Sequence, residues 1–404
     1  MVTEEIAGTV ILKKGRDKPL RQRHPWVFSG AIEKVEGKPA GGALVEVRSA
    51  SGDWLAVGYF NEQSQIRVRC LSYRPDENID ETFWRQRLEQ AINGRAGLFQ
   101  PGYNSACRLV NAESDGLPGL VVDRYDNYLV MQCLTKGIDR RKQMLADLLA
   151  NLLPVQGIFE RSDVAVRRKE GLPQRTGLLV GSAPAEPLPV WVAGVQQLVD
   201  IQSGHKTGLY LDQRDNYEIL RQMGVFPERE VLNLFSFTGG FGLHAVQAGA
   251  RAVTHVDSSI PALEAAEANV QLNGWLDRPA DEYLAGDAFD VLHDYQQTGR
   301  QFDTIILDPP KFAHSQGDIE RATRGYKELN RLAFLLLRPG GYLATFSCSG
   351  LVSAELFQKV VFSALADSGR DGQIVRWLHQ ASDHPVSLYF PEGAYLKGLL
   401  CRVF

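Results

Sequence analysis

Three short runs in this chain carry residue types fit for chemistry. Phe235-Ser236-Phe237-Thr238-Gly239-Gly240 is a glycine-rich turn, Leu307-Asp308-Pro309-Pro310-Lys311-Phe312 sets a carboxylate against two prolines, and Thr345-Phe346-Ser347-Cys348-Ser349 presents a thiol. Each closes an apolar stretch (231–235, 304–307, 342–346) that reads as a parallel strand. In an open α/β sheet the ligand crevice lies at the carboxyl ends of the strands, so turn, corner and thiol are expected to converge there. Two more acids end the intervening strands: Asp257 after 252–256, and Asp287 in Gly286-Asp287-Ala288. The first is suited to ribose hydroxyls and the second to an adenine amino group. Either acid alone reads as a helix N-cap. Three acids at successive strand ends (257, 287, 308) read as a cofactor crevice. The turn lacks the G-x-G-x-x-G that holds a dinucleotide pyrophosphate. A ligand without phosphates, such as S-adenosylmethionine, therefore fits better than a nicotinamide cofactor.

The elements that must position these groups follow from pattern. From residue 231 strands and helices alternate: strand 231–235, helix 241–249, strand 252–256, helix 260–273, strand 283–285, helix 288–297, strand 302–307, helix 319–337, strand 341–347 and helix 353–368. That is a doubly wound sheet. The stretches 374–379 and 396–403 are strands joined without a helix, which predicts an antiparallel pair. Upstream, short β-type runs (43–47, 55–59, 66–70) separated by Glu36-Gly37, Gly41-Gly42 and Ser51-Gly52-Asp53 predict a small all-β unit. A helix over 81–92 leads into a hairpin of 120–123 and 128–133, an amphipathic helix over 140–153, and strands at 158–160 and 177–180. The Gly-, Ala- and Pro-rich stretch 181–189 reads as a linker. The expectation is an all-β domain over 1–75, an α+β domain of strand-strand-helix-strand-strand over 76–190, and a Rossmann-like α/β domain over 191–404.

A length of 404 residues suits two or three domains, and a hydrophobic content of 44% supports ordinary cores. The acidic start MVTEEIAGTV does not read as a signal peptide, and no apolar run approaches the roughly 18 residues of a membrane span, so a cytoplasmic protein with no membrane association is expected. Five scattered cysteines without C-x-x-C spacing argue against disulfides and against a metal site. The net charge is −4, yet residues 1–75 hold 12 Lys and Arg against 8 Asp and Glu. Within them Lys13, Lys14, Arg16, Lys18, Arg21 and Arg23 face only Asp17 as a local counter-charge. Such a cluster suits phosphate neutralisation, or it is simply a solvated loop. Trp26 and Phe28 beside it read as barrel core rather than as stacking surface for bases.

These motifs resemble a known family. Residues 231–404 look like a class I S-adenosylmethionine-dependent methyltransferase, and the whole chain is similar to bacterial 23S rRNA 5-methylcytosine methyltransferases with an N-terminal PUA domain. The resemblance rests on Lys206-Thr207-Gly208 with Leu211-Asp212-Gln213-Arg214, the turn 235–240, the Asp308 corner, Phe346-Ser347-Cys348-Ser349-Gly350, Asp383-His384-Pro385 and Tyr395-Leu396-Lys397-Gly398. It implies a PUA domain over 1–75 and a 23S rRNA partner. It also implies cofactor contacts from Lys206, Asp212, Gln213 and Arg214, from Phe235, Ser236, Thr238, Gly239 and Gly240, and from Asp257, Asp287, Asp308 and Pro309.

The thiol then has a purpose. Carbon 5 of cytosine is a poor nucleophile, and addition of a thiolate at carbon 6 makes it enamine-like, which divides one hard step into two easier ones. Cys348 is the expected nucleophile, with Lys311 or Lys397 as cationic groups to favour its thiolate. Asp308 is expected to bond the N3/N4 edge of the base. Enzymes that methylate exocyclic amines place an aromatic residue after such a Pro-Pro pair, where this chain has Lys311. No second cysteine lies between Asp308 and Ser315 to help release product. Asp383, His384 and Tyr389 are candidates for the base that removes the carbon 5 proton. A target in a loop or unpaired region costs least to unstack. The alternatives are methylation of a guanine ring nitrogen, which needs no thiol, and an RNA-binding assembly factor without turnover; a homodimer is left open.

Overall fold

The computed structural model describes residues 4–185, 187–204, 207–313 and 315–404. The chain divides into two compact units. One comprises Met1–Val190, Val199–Leu211 and Asp383–Gly393; the other comprises Trp191–Leu198, Asp212–Ser382 and Ala394–Phe404. Among the described residues no helix is long and apolar enough to cross a membrane.

The first unit opens with β1 (Gly8–Leu12), α1 (Lys18–Arg21), β2 (Trp26–Phe28), β3 (Ile32–Gly37), β4 (Leu44–Arg48), β5 (Trp54–Phe60) and β6 (Ile66–Ser72). They form a six-stranded sheet in the order β2-β6-β5-β4-β1-β3, around a core that includes Val10, Val27, Val45, Val47 and Val68. Successive side chains on a strand face opposite ways. Val27 is therefore the core residue of β2, while Phe28 is 48% exposed and Trp26 half-buried. The expectation that Trp26 and Phe28 fill the barrel core is thus corrected by the two-residue period of their own strand.

Helix α2 (Glu81–Asn93) is capped by Asp80, whose carboxylate accepts the Phe83 N–H. A second sheet follows from β7 (Ala106–Asn111), β8 (Leu120–Tyr125), β9 (Tyr128–Cys133), β10 (Gly157–Ser162) and β11 (Arg175–Gly181), with α3 (Lys136–Leu152) crossing between β9 and β10 and α4 (Val166–Lys169) before β11. Its order is β11-β10-β9-β8-β7. Strand-strand-helix-strand-strand describes β8 to β11, and β7 is an edge strand the pattern did not reveal. Asp126 adopts φ 52° between β8 and β9, as a two-residue hairpin turn requires.

In the second unit the hairpin of β12 (Leu188–Val192) and β13 (Val195–Val199) contributes residues 191–198, and α5 (Arg214–Gln222) precedes the main sheet. There follow β14 (Glu230–Leu234), α6 (Gly240–Gln247), β15 (Ala252–Asp257), α7 (Ile260–Leu272), β16 (Glu282–Ala285), α8 (Ala288–Thr298), β17 (Phe302–Leu307), α9 (Ile319–Leu336), β18 (Leu337–Ser347), α10 (Ala354–Ser368), β19 (Gly372–His379) and β20 (Lys397–Val403). The strand order is β16-β15-β14-β17-β18-β20-β19. Strand order reverses from β14 to β17 at the centre, which places the ligand crevice beyond the carboxyl ends of these two strands. Val231, Leu232, Leu234, Ile305, Ile306 and Leu307 are all buried, the continuous apolar run of strands covered on both faces. β20 lies antiparallel between β18 and β19, as a connection without an α-helix predicts.

Candidate active site

The register of β17 and β18 brings the acid and the thiol together. These strands pair in parallel with Leu307 opposite Thr345, so Asp308 and Cys348 both lie just past the end of the same ladder. The Cys348 thiol is 3.9 Å from the Pro309 carbonyl, a weak contact for a weak donor. Ser349 ties the two loops: its hydroxyl donates to the Ala313 carbonyl at 3.1 Å and lies 3.3 Å from the Ala313 N–H. Behind them Tyr326 of α9 meets the Ser347 hydroxyl at 3.0 Å and packs on Phe312. Burial pushes the Tyr326 phenol up to about 12, so it stays a neutral hydroxyl. Tyr326 was not anticipated, because one tyrosine on an amphipathic helix carries no motif.

Cys348 differs from the other cysteines. Cys70, Cys107, Cys133 and Cys401 are buried, while Cys348 is partly accessible. Burial pushes the Cys70 and Cys401 thiols up to about 12 and Cys133 higher still, which keeps them protonated. Beside Cys348 the Lys397 amine donates to the carbonyls of Ser349 at 2.6 Å and Val352 at 2.7 Å. Burial brings Lys397 down to about 8, with the charge at Cys348 raising it and Lys311 lowering it.

The turn 235–240 is strained where it faces the crevice. Phe235 and Phe237 adopt φ 58° and 47°, a region costly for bulky side chains, and Gly239 adopts 91°. Such outliers persist where surrounding structure enforces them. Here Asp257 does so: its carboxylate accepts the Phe237 N–H at 2.8 Å and the Ser259 N–H at 2.9 Å. The Ser236 hydroxyl is buried without a hydrogen-bond partner among the described residues, the type of group a polar ligand satisfies. Asp287 caps α8 through one oxygen, Oδ1, which accepts from Phe289 and Asp290. Its outer oxygen makes no such cap bond. Gly239 and Gly240 are required by protein packing: a Cβ on Gly240 would lie 2.5 Å from the Tyr217 hydroxyl, and one on Gly239 3.0 Å from the Ala266 Cβ.

The segment before α5 is braced by the chain's tail. Asp212 accepts the Tyr395 hydroxyl at 2.7 Å, Gln213 accepts from the Asn216 side chain, and buried Arg214 pairs with Asp215 and reaches Ser382 at 3.1 Å. Lys206 lies outside the described residues. In the other unit Asp383 and His384 are buried against each other at 2.8 Å, and Asp383 also accepts the Arg108 N–H. That arrangement gives both a role in docking the 383–393 segment. The docked segment brings Phe390 to 4.8 Å from Trp26, and Arg23 lies 5.7 Å from the ring of Tyr389. Arg21 is paired with Asp17 and Asp53, which corrects the expectation that Asp17 alone opposes the basic cluster.

The chain is similar to known proteins along its whole length. A PUA-like domain family matches residues 10–73, and the S-adenosylmethionine-dependent methyltransferase family matches 166–363. The ribosomal RNA large subunit methyltransferase I of Aeromonas salmonicida is 48% identical over 393 residues, covering 97% of this chain and 98% of that one. The protein of the same name from Klebsiella pneumoniae is 46% identical over 402 residues, covering 100% of this chain and 100% of that one. Among solved structures, a putative methyltransferase complexed with SAH superposes with a TM-score of 0.86 at 20% identity, covering 98% of this chain and 100% of that one.

Proposed function

From the premise that the chain belongs to the ribosomal RNA large subunit methyltransferase I family, an S-adenosylmethionine-dependent group acting on ribosomal RNA, we propose that it methylates carbon 5 of a cytosine in 23S ribosomal RNA through an adduct with Cys348. The observation that carries this reading is the pairing of a partly accessible Cys348 with the Asp308 corner, while the other four thiols are buried. Ser236, Asp257, Asp287 and the strained turn fit an adenosine group, and Asp212, Gln213, Arg214, Asp308 and Pro309 complete its surroundings. When bound, S-adenosylmethionine supplies an electrophilic sulfonium methyl group.

The residues of this chain do the remaining work. The Cys348 thiolate forms a bond to carbon 6, and the electron pair of the 5,6 double bond moves to carbon 5 and the ring. Asp308 stabilises that ring through the N3/N4 edge. Carbon 5 takes the methyl group. Loss of the carbon 5 proton then restores the double bond and expels Cys348 as thiolate, leaving 5-methylcytosine. Residues 1–75 grip the RNA and 191–404 perform the chemistry, with 76–190 between them in sequence. An unpaired target suits the crevice because extruding a paired base costs about a few kcal/mol.

The test is mechanistic. RNA bearing 5-fluorocytosine at the target should trap the enzyme as a covalent methylated adduct through Cys348, because fluorine cannot leave as a cation. Cys348→Ala should abolish methyl transfer and still bind cofactor and RNA. Turnover by Cys348→Ala would favour a guanine ring nitrogen as the acceptor.

A further inference from the structure

Lys397 is only 8% exposed although it bears an amine. It stands at the start of β20, opposite Ser347 of β18 on one side and His379 of β19 on the other. Its two hydrogen bonds go to the carbonyls of Ser349 and Val352, which belong to the turn that begins at Cys348. An ammonium has three donors, so one remains beyond these two. Among the described residues Lys397 forms no salt bridge to a carboxylate. A buried cation without a counter-ion is costly, and an anion beside it is correspondingly favoured. The charge of Lys397 is felt from Cys348 in the turn after β18, which favours its protonated form, and from Lys311 in the loop after β17, which opposes it, and the titratable His379 is its cross-strand partner on β19. Tyr326 of α9 is coupled in turn to Cys348 and Asp308.

We propose that Lys397 is the positioning residue for Cys348, holding the 348–352 turn by its carbonyls and supplying the cation that favours the thiolate over the thiol. This rests on the reading of Cys348 as nucleophile. Lys311 is exposed on its loop and contributes less, because solvent screens it. The amine itself comes down to about 8 through burial, so its help to the thiolate is present below that pH and fades above it.

The test follows iodoacetamide alkylation of Cys348 in the full-length protein without RNA, from pH 6 to 10, read by mass spectrometry of its peptide. Lys397→Gln should move the midpoint of the alkylation profile up by about one unit, a roughly tenfold slower reaction at pH 7. Lys397→Arg should recover most of the rate, and Lys311→Gln should have a smaller effect. If Lys397 braces only the backbone, Lys397→Gln will lower thermal stability and leave the midpoint in place, which overturns the proposal. Should that variant fail to fold, the unaltered protein decides: a midpoint at or above about 8.5, the value of a free cysteine, overturns it, and one clearly below supports it. Methyl transfer by Cys348→Ala would be a separate failure, removing the nucleophile without touching the alkylation profile.

Discussion

Asp257 accepts the backbone N–H of Phe237 at 2.8 Å, so the acid that ends β15 fixes the turn that ends its neighbour β14. The carboxylate proposed for the cofactor and the anchor of the turn are here one group. Each carboxylate oxygen has two lone pairs, so the bonds to Phe237 and Ser259 leave capacity for ribose hydroxyls.

Asp257→Ala is expected to weaken S-adenosylmethionine binding by about 1.5–3 kcal/mol, the range for hydrogen bonds to a charged group. Because the turn relaxes too, Asp257→Asn, which keeps one acceptor oxygen, should lose less. Calorimetry on folded variants distinguishes the two, and equal affinity of Asp257→Ala and parent would remove Asp257 from the site.

Gly240 is held small by protein rather than by ligand alone. A Cβ there would press on the Tyr217 hydroxyl, and that ring cannot swing away, being stacked on His244 at 4.6 Å and set edge-on to Phe241 at 4.7 Å. Gly240→Ala should cost about 1–3 kcal/mol of stability, as overpacking does. The double variant with Tyr217→Phe should recover part of it. A melting temperature unchanged in Gly240→Ala would show that the ring has room to move.

How much of this was legible in sequence depends on how local each signal is. The alternation of apolar stretches with helices from β14 to β18 marks a doubly wound sheet, and acids stand at the ends of β15 and β17 and just after β16, so the crevice follows from local signals. The antiparallel tail was legible because no α-helix separates β19 from β20. Strand β7 was not, since its apolar run is interrupted by Arg108, whose partner Asp123 stands on the neighbouring strand β8. The bracing of 212–214 by Ser382 and Tyr395 was likewise invisible, because those partners stand some 170 to 180 positions away. The facing of Trp26 and Phe28 is set by alternation along β2, which buries Val27 between them, and not by their apolar type.

RNA affinity should depend on salt and on the basic stretch before α1. Arg21 is engaged by Asp17 and Asp53, so the cations expected to meet phosphates are Lys13, Lys14 and Arg16. Neutralising all three should flatten the plot of log affinity against log salt, by about 0.7 for each phosphate of single-stranded RNA that no longer meets a cation. Cofactor affinity should not change. A slope equal to the parent's would mean that this stretch is merely solvated.

Acid should destabilise the second unit through its buried histidines. His255 is fully buried on β15, stacked at 5.0 Å on Tyr283 and covered by Gly242, and neither ring nitrogen has a partner among the described residues. Burial brings it down to about 4 from its ordinary 6.5, and burial lowers His244 as well. A histidine that stays neutral when folded but takes a proton when unfolded makes the unfolded state bind more protons between those two values. Stability is therefore intact above about pH 6.5 and falls as pH drops toward 4, by about 3 kcal/mol for His255 across the window. Urea midpoints measured from pH 7 to 4 should decline more steeply in the parent than in His255→Gln, which lacks the titrating group. Parallel declines would show that His255 titrates alike in both states, and carboxylates would then account for the loss.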